Sequence, residues 1–179
     1  MKVILIGYRA CGKSTVGTML SAMLKIPFWD TDALVEKKEG MPIRQIVERR
    51  GWDYFRALER ETILSLPGQE AAVVATGGGV VLAGENMDAL KQMGKVFWLH
   101  APLNDILDRL KEDAAAKAQR PQFTSAGLAE ETKATWESRL PLYESAADFI
   151  VRTEGRGAPE VARQIYDYLQ TSGMIAGAT

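Results

Sequence analysis

The chain has 179 residues, 46% of them hydrophobic and 25% charged, and its 22 basic and 23 acidic side chains leave a net charge of −1. That length supports one domain with a sizeable core rather than two, and so even a balance gives no general reason to expect nucleic acid or membrane surfaces as partners. A single cysteine excludes an internal disulfide and is consistent with a reducing interior; with no apolar run near the ~20 residues of a membrane span and no signal-peptide pattern, a cytoplasmic protein is expected.

Val3-Ile4-Leu5-Ile6 is a continuous apolar run of the kind a buried parallel strand needs. Gly7-Tyr8-Arg9-Ala10-Cys11-Gly12-Lys13-Ser14-Thr15 follows and fits the phosphate-loop pattern G-x-x-x-x-G-K-[ST]. Val16, Met19, Leu20, Met23 and Leu24 then give the segment from Lys13 to Leu24 one apolar helical face. Strand, loop and helix in this order hold a nucleotide's phosphates, because loop N–H groups and the helix N-terminus favour an anion. The expected ATP cradle is Ala10, Cys11, Gly12, Lys13, Ser14 and Thr15, with Lys13 on the β- and γ-phosphates and the Ser14 hydroxyl on Mg²⁺.

Ile26-Pro27-Phe28-Trp29 leads to Asp30-Thr31-Asp32, two carboxylates at a strand end, where open α/β sheets bind ligands. One of them is also a plausible cap for the helix through Leu34 and Val35. Pro42 opens a helix from Ile43 to Arg50 that Gly51 is expected to end. Trp52, Phe55, Ile63 and Leu66 then form an apolar stripe, beside which Arg56 and Glu59 stand at i, i+3 as an ion pair holding a fixed guanidinium. Ala71 to Ala75 reads as a strand, and Thr76-Gly77-Gly78-Gly79 after it as backbone that must come close to a ligand or another segment.

Met87, Leu90 and Met93 mark a short helix closed by Gly94, followed by the strand Lys95 to Leu99. His100 is the only histidine, so there is no zinc-ligand cluster and a structural role is expected for it. Pro102 starts a helix striped by Leu103, Ile106, Leu107 and Leu110, with Arg109 off the stripe. Residues 111–124 lose periodicity and are expected to form a lid. Ala126 to Tyr143 reads as one helix, kinked or ended near Leu140 by Pro141; Asp148 to Val151 is a last strand and Ala158 to Leu169 a last helix. The alternation implies a parallel sheet with helices on both faces. The expected boundaries are a single domain over 1–171, with a helical region over 32–62, and a frayed tail over 172–179.

The phosphate loop, Asp30-Thr31-Asp32, Phe55-Arg56-x-x-Glu59, Gly77-Gly78-Gly79, Arg120-Pro121 and Arg139-x-x-x-Tyr143 before Ala147-Asp148 together resemble the shikimate kinases over nearly the whole chain. The resemblance implies a P-loop fold of the nucleoside monophosphate kinase type: three α/β/α layers, a five-stranded parallel sheet, a lid and a substrate-binding region within 32–62. It implies transfer of the γ-phosphoryl of ATP, with Mg²⁺, to the 3-hydroxyl of shikimate, a step toward the aromatic amino acids, in a protein expected to be a monomer. Arg56 and Arg139 then match the clamp on the substrate carboxylate, a task for which planar guanidinium forks are suited. Asp32 matches the residue that holds the ring hydroxyls and orients or deprotonates the attacker, with orientation expected as its main contribution because a carboxylate of ordinary acidity is a weak base for an alcohol. Gly77, Gly78 and Gly79 would let backbone approach the substrate, Asp30 would join Ser14 at the metal, and Arg120 would close over the phosphates as a catalytic lid residue. Arg109 and Arg156 would face the adenine. One position departs from the family: many members write the loop G-x-x-G-x-G-K, and this chain has Ala10 at its second glycine. Alternatives are a gluconate or nucleoside monophosphate kinase of the same fold, and a nucleotide-dependent switch protein.

Overall fold

A computed structural model describes residues 1–68, 70–112 and 127–175. Five strands, β1 (Lys2–Ile6), β2 (Phe28–Asp30), β3 (Val73–Ala75), β4 (Gly94–His100) and β5 (Phe149–Arg152), form one parallel sheet in the order β2-β3-β1-β4-β5. β1 is the central strand and is buried along its whole length, which is why it reads as an unbroken apolar run after Lys2. The helices are α1 (Lys13–Leu24), α2 (Thr31–Glu39), α3 (Ile43–Leu64), α4 (Gly84–Met93), α5 (Leu103–Glu112), α6 (Leu128–Ala146) and α7 (Ala158–Thr171), with a 3₁₀ turn at Val80–Leu82.

Topology decides where a ligand can sit. The step from β1 to β2 runs one way along the sheet, and the steps β2 to β3, β3 to β4 and β4 to β5 run the other way. Right-handed crossovers therefore put α1 on one face, where α7 packs against it, and α3, α4 and α6 on the other. The neighbours β1 and β3 send their connections to opposite faces, which opens a crevice at their carboxyl ends. The loops starting at Gly7 and Gly77 flank that crevice.

The main core gathers Ile4, Leu5, Ile6, Leu20, Leu90, Phe97 and Ile165 on and around the sheet. A second, separate cluster of Val35, Ile43, Ile46, Val47, Phe55 and Leu58 lies between α2 and α3. Glu36 joins these two helices by accepting the Ile43 N–H at 2.9 Å, a bond that Pro42 at the N-cap cannot supply.

Four local expectations change. Gly51 does not end its helix but bends it, at φ 82 and ψ 170, so that α3 continues to Leu64. Pro141 does not end α6 either; the helix runs on to Ala146, and the Glu137 carbonyl that loses its partner is on the exposed side, open to water. Gly94 is the first residue of β4 as well as the stop of α4, because a Cβ there would collide with the Lys2 backbone of the neighbouring strand. Residues 172–175, expected within the frayed tail, turn at Gly173 (φ 69) and donate the Met174 and Ile175 N–H groups to the Leu169 carbonyl. Ala126 and the lid segment over 113–124, including Arg120, lie outside the described residues, as do 176–179.

Candidate active site

The phosphate loop spans the end of β1 and the start of α1. Gly7 (φ 144) and Gly12 (φ 96) take conformations that suit glycine, and the space a Cβ would need on Gly7 is filled by the Leu99 carbonyl and Cys11 Sγ. Ala10 also sits in the left-handed region, at φ 61. This is the position where the family pattern has glycine. Lys13 is buried, and its ammonium donates to the Gly7 and Tyr8 carbonyls at 2.8 Å each while lying 3.6 Å from Cys11 Sγ. The lysine therefore ties the loop together as well as charging it.

The loop from Ala10 to Thr15 lines a cavity of about 650 Å³ that also reaches Asp30, Asp32, Arg109 and Arg156. Arg109 donates to the Ala10 carbonyl at 3.3 Å, and Arg156 to Gln164 Oε1 at 2.6 Å from the rim before α7. Arg9, unassigned from the sequence, borders the same cavity and donates to Thr132 Oγ1 at 2.9 Å.

Asp30 does two things at once. One oxygen caps α2 by accepting the Asp32 and Ala33 N–H groups, and the other accepts the Ser14 hydroxyl at 2.5 Å. A hydroxyl beside a carboxylate is a hard-oxygen pair. It fits Mg²⁺, which takes one or two protein ligands and completes its shell with water and phosphate oxygens. No cluster of three metal-ligating side chains occurs among the described residues.

A smaller cavity, about 30 Å³, adjoins the first and is lined by Asp32, Trp52, Phe55, Arg56, Glu59 and the glycines Gly77, Gly78 and Gly79. Arg56 donates to Glu59 Oε2 at 2.8 Å, and its guanidinium lies over the Trp52 and Phe55 rings at 5.5 and 5.1 Å. Glu59 is only 1% exposed, so the pair is a fixed fixture rather than a surface bridge. Each glycine is a close-approach site. A Cβ on Gly77 would meet Asp32 Oδ1 and Glu59 Oε1, one on Gly78 would press on the Arg9 amide, and one on Gly79 would strike the Arg56 guanidinium. Asp32 borders both cavities. Trp52 was legible only as part of an apolar stripe; four residues before Arg56 on the same helical stretch, it shares a helix face with the guanidinium.

Arg139 lines neither cavity. It is buried behind the glycine turn and donates to the Gly78 carbonyl at 3.1 Å. His100 also lies apart, half-buried with its ring 4.9 Å from Trp98 and 6.3 Å from Trp136. Burial holds its pKa below the usual histidine value, and Arg152 adds to that effect while Glu154 opposes it.

A parallel sheet of this order, a phosphate loop and an adjoining pocket with carboxylate, guanidinium and bare backbone define a P-loop kinase of the nucleoside monophosphate kinase type. Comparison with known proteins narrows the class. The shikimate kinase family model matches residues 9–170. The chain is 43% identical over 177 residues to a shikimate kinase of Syntrophus aciditrophicus, covering 94% of this chain and 91% of that one. Among solved structures it is similar to a shikimate kinase from Acinetobacter baumannii in complex with shikimate, with a TM-score of 0.89, 30% identity and coverage of 97% and 95%. The shikimate kinase from Aquifex aeolicus gives a TM-score of 0.80 at 35% identity, over 97% of this chain and 99% of that one. The chain belongs to the shikimate kinase family and is an enzyme of that activity.

Proposed function

We propose that the two cavities hold ATP and shikimate on either side of Asp32, and that the γ-phosphoryl group passes to the shikimate 3-hydroxyl to give shikimate 3-phosphate and ADP. The observation that carries this reading is that the Asp32 side chain borders both the phosphate-loop cavity and the glycine-lined one. The bond from the acceptor oxygen to the γ-phosphorus forms as the bond to the β,γ-bridging oxygen breaks, and ADP leaves with that electron pair. Asp32 accepts the hydrogen bond of the attacking hydroxyl, aims its oxygen and takes up the proton that this oxygen sheds as the new bond forms, passing it on to solvent. Lys13 exchanges its loop carbonyls for phosphate oxygens, and loop N–H groups hold the same anion in place. Ser14 and Asp30 would hold Mg²⁺, which when bound neutralises charge on the β- and γ-phosphates.

On the acceptor side Arg56, held by Glu59, takes the substrate carboxylate, and Arg139 joins it by leaving the Gly78 carbonyl. A cavity of about 30 Å³ has room for a water or two rather than a ring, so entry requires the α2–α3 unit, with its separate core, to move off the glycines. Arg109 and Arg156 flank the nucleotide base, and Arg120 closes from a lid that begins after α5 ends at Glu112. The working unit is a single domain that runs through Ile175, a monomer in the cytoplasm; the lone free cysteine accords with a reducing compartment, and no described helix is long and apolar enough to cross a membrane.

The test is a phosphoryl-acceptor screen of shikimate, quinate, gluconate and nucleoside monophosphates, with the product position read by NMR. Phosphate on the 3-oxygen of shikimate is expected. Preferential phosphorylation of gluconate or a nucleotide would overturn the acceptor assignment.

A further inference from the structure

The sequence motif Arg139-x-x-x-Tyr143 leaves its tyrosine without a task in this scheme. Four residues apart on α6, the two side chains share a helix face, and both donate to one acceptor, the Gly78 carbonyl: Arg139 at 3.1 Å and the Tyr143 hydroxyl at 2.5 Å. Tyr143 is fully buried, stacked on Trp98 with ring centroids 5.7 Å apart and planes 19° apart. Burial drives its pKa far above the ordinary phenol value, against the pull of Arg139, so the hydroxyl remains a donor across any working pH.

The consequence falls on the next amide. No cis peptide occurs among the described residues, so the Gly79 N–H points opposite to the Gly78 carbonyl. That carbonyl is drawn toward α6, and the N–H is therefore aimed away from α6, on the side of the cavity lined by Gly77, Gly78, Gly79 and Arg56. We infer that Tyr143 is a positioning residue for the acceptor, whose buried hydroxyl fixes the Gly78–Gly79 peptide so that its N–H faces the substrate oxygen. The inference rests on the reading that this cavity takes shikimate. Once Arg139 swings to the substrate carboxylate, the Tyr143 hydroxyl still holds this peptide. An arginine with two places to go needs a neighbour with one.

Three variants assayed together test this. Tyr143→Phe keeps the ring and its stack and removes the donor; the shikimate KM should rise about three- to tenfold, the worth of one neutral hydrogen bond, with ATP KM and kcat within twofold of wild type. Trp98→Phe disturbs the stack and keeps the hydroxyl, so it should lower the melting temperature and leave the shikimate KM alone. Arg56→Ala reports on the cavity itself and should raise the shikimate KM strongly. A wild-type shikimate KM in Tyr143→Phe, or an equal rise in Trp98→Phe, would make Tyr143 a core residue only and overturn the inference. An unchanged shikimate KM in Arg56→Ala would instead reject the cavity assignment, and with it the target given to the Gly79 N–H.

Discussion

Ser14 Oγ donates a 2.5 Å hydrogen bond to Asp30 Oδ2, joining the first turn of α1 to the end of β2 across the phosphate cavity. Because the other Asp30 oxygen caps α2, charge and cap can be separated by substitution. Asp30→Asn retains a capping oxygen and should keep the melting temperature within a few degrees while raising the Mg²⁺ concentration for half-maximal activity about tenfold. Asp30→Ala should lose the cap as well, at a cost of about 1 kcal/mol in denaturant unfolding. Equal Mg²⁺ requirements in wild type and Asp30→Asn would remove Asp30 from the metal site.

Ala10 at φ 61 pays for a backbone conformation that glycine adopts freely, a cost of about 1–2 kcal/mol in the native state. Glycine also loosens the unfolded chain, which gives back about 0.4–1 kcal/mol. The net expectation for Ala10→Gly is a gain of about 0.5–1 kcal/mol, or a few degrees in melting temperature for a chain of this size. Calorimetry showing a lowered melting temperature would mean that the loop is not strained at this residue.

Much of this was legible in the chain because phosphate loops and buried parallel strands are local patterns. Val3 to Ile6 needs no partner to read as a strand, and Gly12-Lys13-Ser14 carries its chemistry in its own atoms. What was not legible depends on contacts between distant segments. Gly51 reads as a helix end because glycine can stop or bend a helix, and residues from both sides of the bend, Ile46 and Val47 before it and Phe55 and Leu58 after it, share one apolar cluster with Val35 of α2. Nothing in the pattern around Lys2 marks it, yet it is fully buried, its ammonium donating to the Pro67 and Gly68 carbonyls. Gly17 carries no signal of its own within α1, and its bare Cα is what admits the Phe28 ring.

Gly79 is at φ −101, where alanine is unstrained, so Gly79→Ala acts through the Arg56 guanidinium that occupies the Cβ position. The fold and ATP affinity should be kept. Shikimate KM should rise tenfold or more as Arg56 is pushed from its seat on Glu59, and steady-state kinetics with each substrate varied in turn checks the split. A parallel loss in ATP KM would point to a general collapse of the crevice.

His100 gives a pH dependence whose sign follows from its lowered pKa. Below about pH 6.5 the unfolded chain takes up a proton that the folded protein resists, so stability falls as pH drops from there through the folded value. His100→Gln removes this term. Thermal melts from pH 8 to pH 5 should show a shallower decline for the variant between pH 6.5 and 5, and curves that stay parallel would contradict the assignment.

Asp32 at the junction of the two cavities is the centre of the account, and Asp32→Asn tests it by keeping shape while removing charge. ATP binding by equilibrium titration should stay within about twofold of wild type, because Lys13 and the loop are untouched. Single-turnover transfer to shikimate should fall by ~10²–10⁴, the range expected when a group that handles the reacting proton is lost. Transfer at the wild-type rate, or a loss of ATP affinity as large as the loss of transfer, would contradict the position assigned to Asp32 between donor and acceptor.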